Sequence, residues 1–236
     1  MKISLVIPAY NEEGYISNCL EAVRKNGDGI FEIIVVNNAS TDNTESILHA
    51  FTEVRVVSET KKGLTKARQR GFLEARGDII GFIDADTKMP KGWVEVVLHS
   101  FKKDPNTVCV SGPYIYYDMS IFGKIVVWLY WLLLAWPAYF FTKYMAVGGN
   151  FAVRKSALES IGGFDQKINF YGEDTDIARR LHKIGKVKFL RRLYMYTSAR
   201  RLNGEGIIIT AWRYVINFLS VVLIRKPVTS KYKDIR

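Results

Sequence analysis

Two carboxylates one residue apart, Asp84 and Asp86, follow the apolar run Ile79-Ile80-Gly81-Phe82-Ile83 in the stretch DIIGFIDADT. Ionised carboxylates are costly to desolvate and repel one another at short range. Two chemistries explain such a pair at the mouth of a core strand. Asp caps turns and helix entries, and Met89-Pro90-Lys91-Gly92 reads as a helix entry. Alternatively, a hard divalent cation takes one or two carboxylates together with substrate phosphates. A second acidic pair, Glu173-Asp174, lies in GEDTD at 172–176, before a helix that sets Ile177, Leu181 and Ile184 on one face. Acids there complement the helix dipole, and a carboxylate so held can also take a proton from a hydroxyl group.

The elements that must position these groups are legible as alternating strands and helices. ISLVIPAY, FEIIVVNNAST, VRVVSE and the run ending at Ile83 read as strands. Residues 12–26, 42–51 and 63–76 between them have helical character, and Asp42 with Glu45 suits a capping pair. Nearly all-apolar strands alternating with helices imply an α/β fold, a mostly parallel sheet covered on both faces. Ligands of such sheets bind outside the carboxyl ends of the strands. Three polar clusters fall there: Ala9-Tyr10-Asn11-Glu12, Asn37-Asn38-Ala39-Ser40 and Asp84-Ala85-Asp86. Their convergence on one edge favours a site over a set of unrelated turns.

SLVIPAYNEE, IIVVNNASTDNT, KKGLTKARQRG, DIIGFIDADT and GGFDQKINFYGEDTDIARRLHKIG together resemble the family 2 inverting glycosyltransferases of the Rossmann-like GT-A fold, over roughly residues 1–200. The resemblance implies one catalytic domain, with a nucleotide-binding half at 1–115 and an acceptor half at 144–200. It implies a base and ribose pocket formed by Pro8, Ala9, Tyr10 and Glu12, with Asn38 at the position that reads the base edge. Asn37-Asn38 stand where many relatives have Asp, so the choice between a uridine and a guanosine donor stays open. Lys62 and Arg68 would lie near the donor phosphates, with a solvated helix face as the other reading of Arg68. Asp86 would coordinate Mg²⁺ or Mn²⁺, and Asp84 would hold the ribose or a metal-bound water; Ala85 sits between them in the nucleotide pocket. Asp174 would be the base that deprotonates the acceptor, with Glu173 beside it. Gly149 and Asn150, in a Gly148-Gly149-Asn150 loop, would close over the donor sugar. Arg200 and Arg201 would meet the diphosphate or else belong to a basic face.

The charge is uneven. Residues 182–236 hold 13 Lys/Arg against 2 Asp/Glu, whereas residues 1–181 hold 21 of each. Such an asymmetry suits a phosphate-rich ligand or an anionic membrane surface. The aromatics cluster in apolar runs and are not interleaved with the basic residues, which argues against nucleic acid as a partner. Ile125 to Thr142 carries no charge and lies between Lys124 and Lys143. A single membrane crossing there would part Asp86 from Asp174. The segment 121–143 must therefore lie in the interface, turn back near Trp136-Pro137, or be a buried core helix, and its aromatics favour the interface. In 206–224 a stripe of Thr210, Arg213, Asn217 and Ser220 interrupts an apolar helix. With the basic tail through 236, including Lys231 and Lys233, this reads as an amphipathic helix in the headgroup region, a helix covering the core being the alternative.

Cys19 and Cys109 lack metal-ligand spacing and suggest a reducing cytosol. The apolar run from Ile3 stops at Pro8, too short for a signal peptide. The expected protein is a peripheral or monotopic enzyme of the cytosolic leaflet, using a nucleoside-diphosphate sugar and a lipid-linked or other membrane acceptor. A sugar-phosphate nucleotidyltransferase would need a glycine-rich phosphate loop after its first strand, and PAYNEEG has none. A basic, non-catalytic membrane-binding module would leave both acidic pairs without a role.

Overall fold

The computed structural model describes residues 1–168 and 170–229; of the basic tail, Lys231 and Lys233 lie outside the described residues. Strand β1 (Ile3–Ala9) is followed by α1 (Ile16–Asn26), β2 (Ile30–Asn37), α2 (Thr44–Leu48), β3 (Val54–Ser58), α3 (Leu64–Glu74) and β4 (Ile79–Ile83). The apolar runs of β1 and β4 and the last four residues of β2 place side chains in the core on both faces, which is why they do not alternate with polar residues. The expected capping pair at α2 takes another form: Asp42 accepts from the Thr44 N–H at 3.0 Å, and Glu13 accepts from the Asn43 N–H at 2.9 Å.

Next come β5 (Thr87–Lys88), α4 (Trp93–Lys103), β6 (Thr107–Ser111), β7 (Tyr114–Tyr116), β8 (Asn150–Arg154), α7 (Lys155–Ser160), α8 (Glu173–His182), β9 (Lys186–Phe189) and β10 (Met195–Thr197). The main sheet runs β3-β2-β1-β4-β8-β6-β9. Every pairing in it is parallel except those of β8, which is antiparallel to β4 and β6. An antiparallel strand begins at the edge where its neighbours end. Asn150, the first residue of β8, therefore pairs with Ile83, the last of β4, and Gly148-Gly149 arrive beside Asp84. A small sheet, β5-β10-β7, is built from the segments that follow β4, β6 and β9.

One face of the main sheet is covered by Ile16, Leu20 and Val23 of α1 and by Trp93, Val97 and Phe101 of α4. The other face packs Ala67 and Phe72 of α3 with Ile177, Ala178 and Leu181 of α8. Cys19 and Cys109 are buried free thiols.

Residues 121–142 form one helical stretch: α5 (Ile121–Tyr130), a π-helical turn (Trp131–Ala135) and α6 (Trp136–Thr142). Ser120 caps it, its Oγ accepting from the Gly123 N–H at 3.2 Å. A proline inside a helix loses a hydrogen bond and collides with the carbonyl four residues back. The widened turn covers that carbonyl, of Leu133, so the chain passes Pro137 without reversing. A turn back near Trp136-Pro137 is thus excluded, and so is a core helix. Ile121, Phe122, Trp128, Leu133, Phe140 and Phe141 are all exposed.

The last elements are α9 (Arg200–Glu205) and α10 (Ile207–Ile224). Helix α10 forms where the stripe predicts it, with most of the stripe turned inward and the apolar side left outward. Thr210, Asn217 and Ser220 are buried against the domain, whereas Ile208, Trp212, Leu223 and Ile224 face outward. Asn217 also holds the segment that follows the helix: its Nδ2 donates to Thr229 Oγ1 at 2.8 Å and its Oδ1 accepts from the Thr229 N–H at 2.9 Å. The 121–142 stretch and α10 are both long and apolar enough to cross a membrane, by length and composition only.

Candidate active site

The carboxyl edge of the sheet carries two adjoining cavities that share Leu64, Asp84, Tyr114, Tyr116, Phe170 and Tyr214. One, of about 120 Å³, also holds Pro8, Glu12, Ala85, Asp86, Arg200 and Arg201. The other, of about 180 Å³, holds Arg68, Gly148, Gly149, Glu173 and Asp174. The two acidic pairs, 90 residues apart in sequence, thus meet across one opening.

Arg68 joins them. It is buried on the inner face of α3, donates from Nη2 to Asp84 Oδ1 at 2.8 Å, and pairs through Nη1 with Glu173 Oε1. The other oxygen of Asp84 accepts from the Tyr114 hydroxyl at 3.2 Å. The solvated-face setting does not describe Arg68: its guanidinium is buried between two carboxylates at the edge of the cavity. Burial pushes the Glu173 carboxyl up to about 7 against the pull of Arg68. Asp174, one residue into α8, is raised as well, chiefly by burial, although its Oδ1 accepts from the Thr175 N–H at 2.8 Å. Asp176 belongs to a different network, pairing with Arg179 at 2.8 Å and Arg180 at 2.7 Å along the helix.

Asp86 lies deeper than Asp84. Burial raises it to about 7, the charges of Asp84 and Glu12 add to this, and Arg200 opposes it. Arg200 bridges Glu12 and Asp86, its Nε 3.0 Å from Asp86 Oδ2, with its guanidinium 4.5 Å from the Tyr15 ring. Arg201 stacks on Phe170 at 4.5 Å and reaches Glu205 at 3.3 Å. Of the two, Arg200 is the one held against the acidic pair. Among the described residues no three His, Cys, Asp or Glu side chains converge as a complete metal cage. The donors at Asp84 and Asp86 are hard oxygens in a crowded negative site. They fit a cation of the Mg²⁺ or Mn²⁺ type that draws its remaining ligands from water or phosphate.

Several expected pocket residues are placed elsewhere. Asn150 is fully buried, accepting from Trp93 Nε1 at 2.9 Å and donating to the carbonyls of Gly112 and Leu193, so it braces the sheet edge rather than facing a sugar. Asn38 donates to the carbonyls of Glu59 and Lys61 and accepts from the Gly63 N–H at 2.8 Å. That fixes the 59–63 loop and commits both N–H groups of the Asn38 amide to backbone carbonyls. Ala9 is buried and gives its carbonyl to the Asn38 N–H at 2.7 Å. Tyr10 and Lys62 lie together outside both cavities, the ammonium 3.9 Å from the ring centroid. Gly149 is held close for a different reason: a Cβ there would overlap the Tyr114 hydroxyl and the Asp84 carboxylate. The residues that sequence reasoning missed are aromatic. Tyr114 and Tyr116, Phe170, and Tyr214 on α10 wall both cavities. Alternation in PYIYY puts Tyr114 and Tyr116 on one face of β7, which was a readable signal.

Comparison with known proteins sets this geometry among relatives. The model of Glycosyl transferase family 2 matches residues 4–162, and that of the N-terminal domain of galactosyltransferase matches 137–201. A probable glycosyltransferase of Bacillus subtilis, YdaM, is 30% identical over 200 residues, 78% of this chain and 47% of its own length. The chain thus spans less than half of the curated relatives it first matches. Among solved structures, the mannosyltransferase PcManGT from Pyrobaculum calidifontis, in complex with GDP-Man and Mn²⁺, superposes with a TM-score of 0.73. It is 19% identical, with 98% of this chain and 66% of that one covered. Glucosyl-3-phosphoglycerate synthase from Mycobacterium tuberculosis, with Mn²⁺, UDP and phosphoglyceric acid, gives 0.66 at 21% identity, covering 95% and 78%. The mostly parallel sheet with helices on both faces is the GT-A fold of these neighbours. With a family model matched across residues 4–162, over half its length, and both acidic pairs drawn to one edge of that fold, this chain belongs to glycosyl transferase family 2.

Proposed function

We propose that this chain is a metal-dependent inverting glycosyltransferase domain that moves a sugar from a nucleoside-diphosphate sugar to an acceptor hydroxyl or phosphate at the cytosolic face of a membrane. The observation that carries the reading is the shared opening between the cavity of Asp84 and Asp86 and the cavity of Glu173 and Asp174. A donor phosphate against the first pair leaves its sugar facing the second, which is the arrangement an in-line displacement requires. Asp174 takes the proton of the acceptor hydroxyl, and Glu173, held by Arg68, keeps α8 in place beside it. Arg200 and Arg201 offer positive charge to the departing diphosphate. A divalent cation held by Asp86, with Asp84 beside it, supplies charge neutralisation for that diphosphate.

The membrane part of the reading rests on two features. The outward faces of the 121–142 stretch and α10 expose Phe122, Trp128, Phe141, Trp212 and Leu223. Lys124, Lys143, Arg225 and Lys226 border those faces. Exposed apolar patches rimmed by cations suit an anionic bilayer surface, and both helices also wall the Asp174 cavity through Tyr130, Trp131, Tyr214 and Phe218.

Calorimetric titration of UDP and GDP with Mn²⁺, repeated in EDTA, tests the core of the reading. Metal-dependent binding of one nucleotide is expected, and Asp86→Asn is expected to weaken it at least tenfold; binding of neither would remove the transferase reading. Gly149→Ala supplies a second check. The added Cβ displaces Asp84, so nucleotide affinity in Mn²⁺ is expected to fall about tenfold or more, a cost near 1.4 kcal/mol, while the circular dichroism spectrum is unchanged. Unaltered affinity would place Asp84 outside the nucleotide site.

A further inference from the structure

The aromatic wall of the Asp174 cavity has a second side. Tyr114, Tyr116 and Trp131 line that cavity, and the same three residues line a groove of about 580 Å³ between β7 and the first half of the 121–142 stretch. Ile115, Ile125, Val127, Trp128 and Leu132 make the groove apolar, and most of them are exposed to solvent. The charged residues among its described lining are Lys124 and Arg191, both cations, with Arg191 stacked 4.7 Å from the Trp136 ring. The groove runs along a helix whose outer face is apolar, so it joins a hydrocarbon surface at one side and the base cavity at the other. An apolar trough whose charged lining is cationic, and which shares its wall with a cavity holding a proton acceptor, fits a ligand with three parts. These are a hydroxyl-bearing head, an anionic linkage and a hydrocarbon chain.

We infer that this groove seats the chain of the acceptor, a glycosyl amphiphile whose head is joined to an alkyl or isoprenyl chain through phosphate. The chain lies against Ile125, Trp128 and Leu132, the phosphate meets Arg191 at the Trp136 end of the groove, and the head stacks on Tyr114, Tyr116 and Trp131 near Asp174. This assignment rests on the transferase reading and deepens it by naming the acceptor class. Its volume lies within the range of small-molecule sites, about 300–1,000 Å³.

Farnesyl monophosphate is a soluble probe of the chain and phosphate together, and the Trp residues around the groove report its arrival by fluorescence. Saturable quenching is expected with farnesyl monophosphate, and none with inorganic phosphate. Ile125→Asp and Arg191→Ala change exposed side chains, and each is expected to weaken the probe at least tenfold while leaving Mn²⁺-dependent nucleotide binding unchanged. The inference is overturned by absence of saturation, by equal affinity in both variants, or by equal binding of farnesol, which lacks the phosphate. It is also overturned if phosphatidylglycerol vesicles give the same response and abolish that of the probe, since the groove would then be a bilayer contact. A protein that binds neither UDP nor GDP fails the transferase reading. One that binds nucleotide but not the probe fails only this inference.

Discussion

Asp174→Asn is expected to lower sugar transfer by about two to four orders of magnitude, the usual contribution of a positioned general base, while nucleotide affinity stays within twofold of the parent. The amide has the shape of the carboxylate, and its oxygen can still accept from the Thr175 N–H that now binds Oδ1. What it cannot do is take a proton. Asp174 lines the cavity that holds Tyr130 and not the one that holds Asp86, so the donor side is not expected to respond. The pH profile carries a second signature. Burial raises the Asp174 carboxyl above its ordinary range, and a base acts only when ionised, so kcat/KM should climb with pH through that raised value. The acid limb therefore lies nearer neutrality than a solvated Asp would put it. Turnover by Asp174→Asn equal to the parent's would remove Asp174 as the base.

Arg68→Met is expected to cost about 3–5 kcal/mol of folding stability, the range for stranding a buried charge. Arg68 is 1% exposed and serves two carboxylates, of which Glu173 is 6% and Asp84 35% exposed. Removing the guanidinium leaves Glu173 to be desolvated alone, while Asp84 regains water on its open side. The double variant Arg68→Met/Glu173→Gln should recover most of the loss, because the stranded charge is then absent. Chemical denaturation in EDTA measures both. The sign of the pH dependence follows from linkage. A carboxyl whose folded pKa is raised holds its proton more tightly in the native state than in the unfolded chain. Its favourable contribution is complete below the unfolded value and is lost as pH rises through the folded one, about 7 for Glu173 with Arg68 present. The deficit of Arg68→Met should therefore shrink as pH is lowered from about 8 toward 5. A deficit below about 1 kcal/mol, or one independent of pH, would show that the triad is not held as described.

The parallel half of the sheet was legible because its signal is local: continuous β-branched runs, a stop at Pro8, helices of regular spacing. The convergence of Glu12, Asp84 and Asp86 was legible because strand ends in such sheets share an edge, whereas Glu173 and Asp174, at the start of a helix, were brought to it only by the family resemblance. The rest depended on tertiary neighbours. An amide looks equally available for a base or a backbone, and Asn38 and Asn150 were claimed by carbonyls that no spacing reveals. Arg68 lay on a helix face whose burial was decided by α8, over 100 residues onward. The polar stripe of α10 was read correctly as a stripe, but periodicity says only that two faces differ and not which one meets the protein.

That orientation has a practical side for anyone seeking a form of the domain that stays monodisperse without detergent. Helical-wheel logic would keep Thr210, Asn217 and Ser220 as the water-facing set and alter the hydrocarbon side last. Here the order inverts: Ile208, Trp212 and Leu223 are the positions to exchange for Lys or Glu, since they touch water already. Thr210, Asn217 and Ser220 must be left as they are, because they lie on the buried face of the helix, where a charged replacement would have to be desolvated.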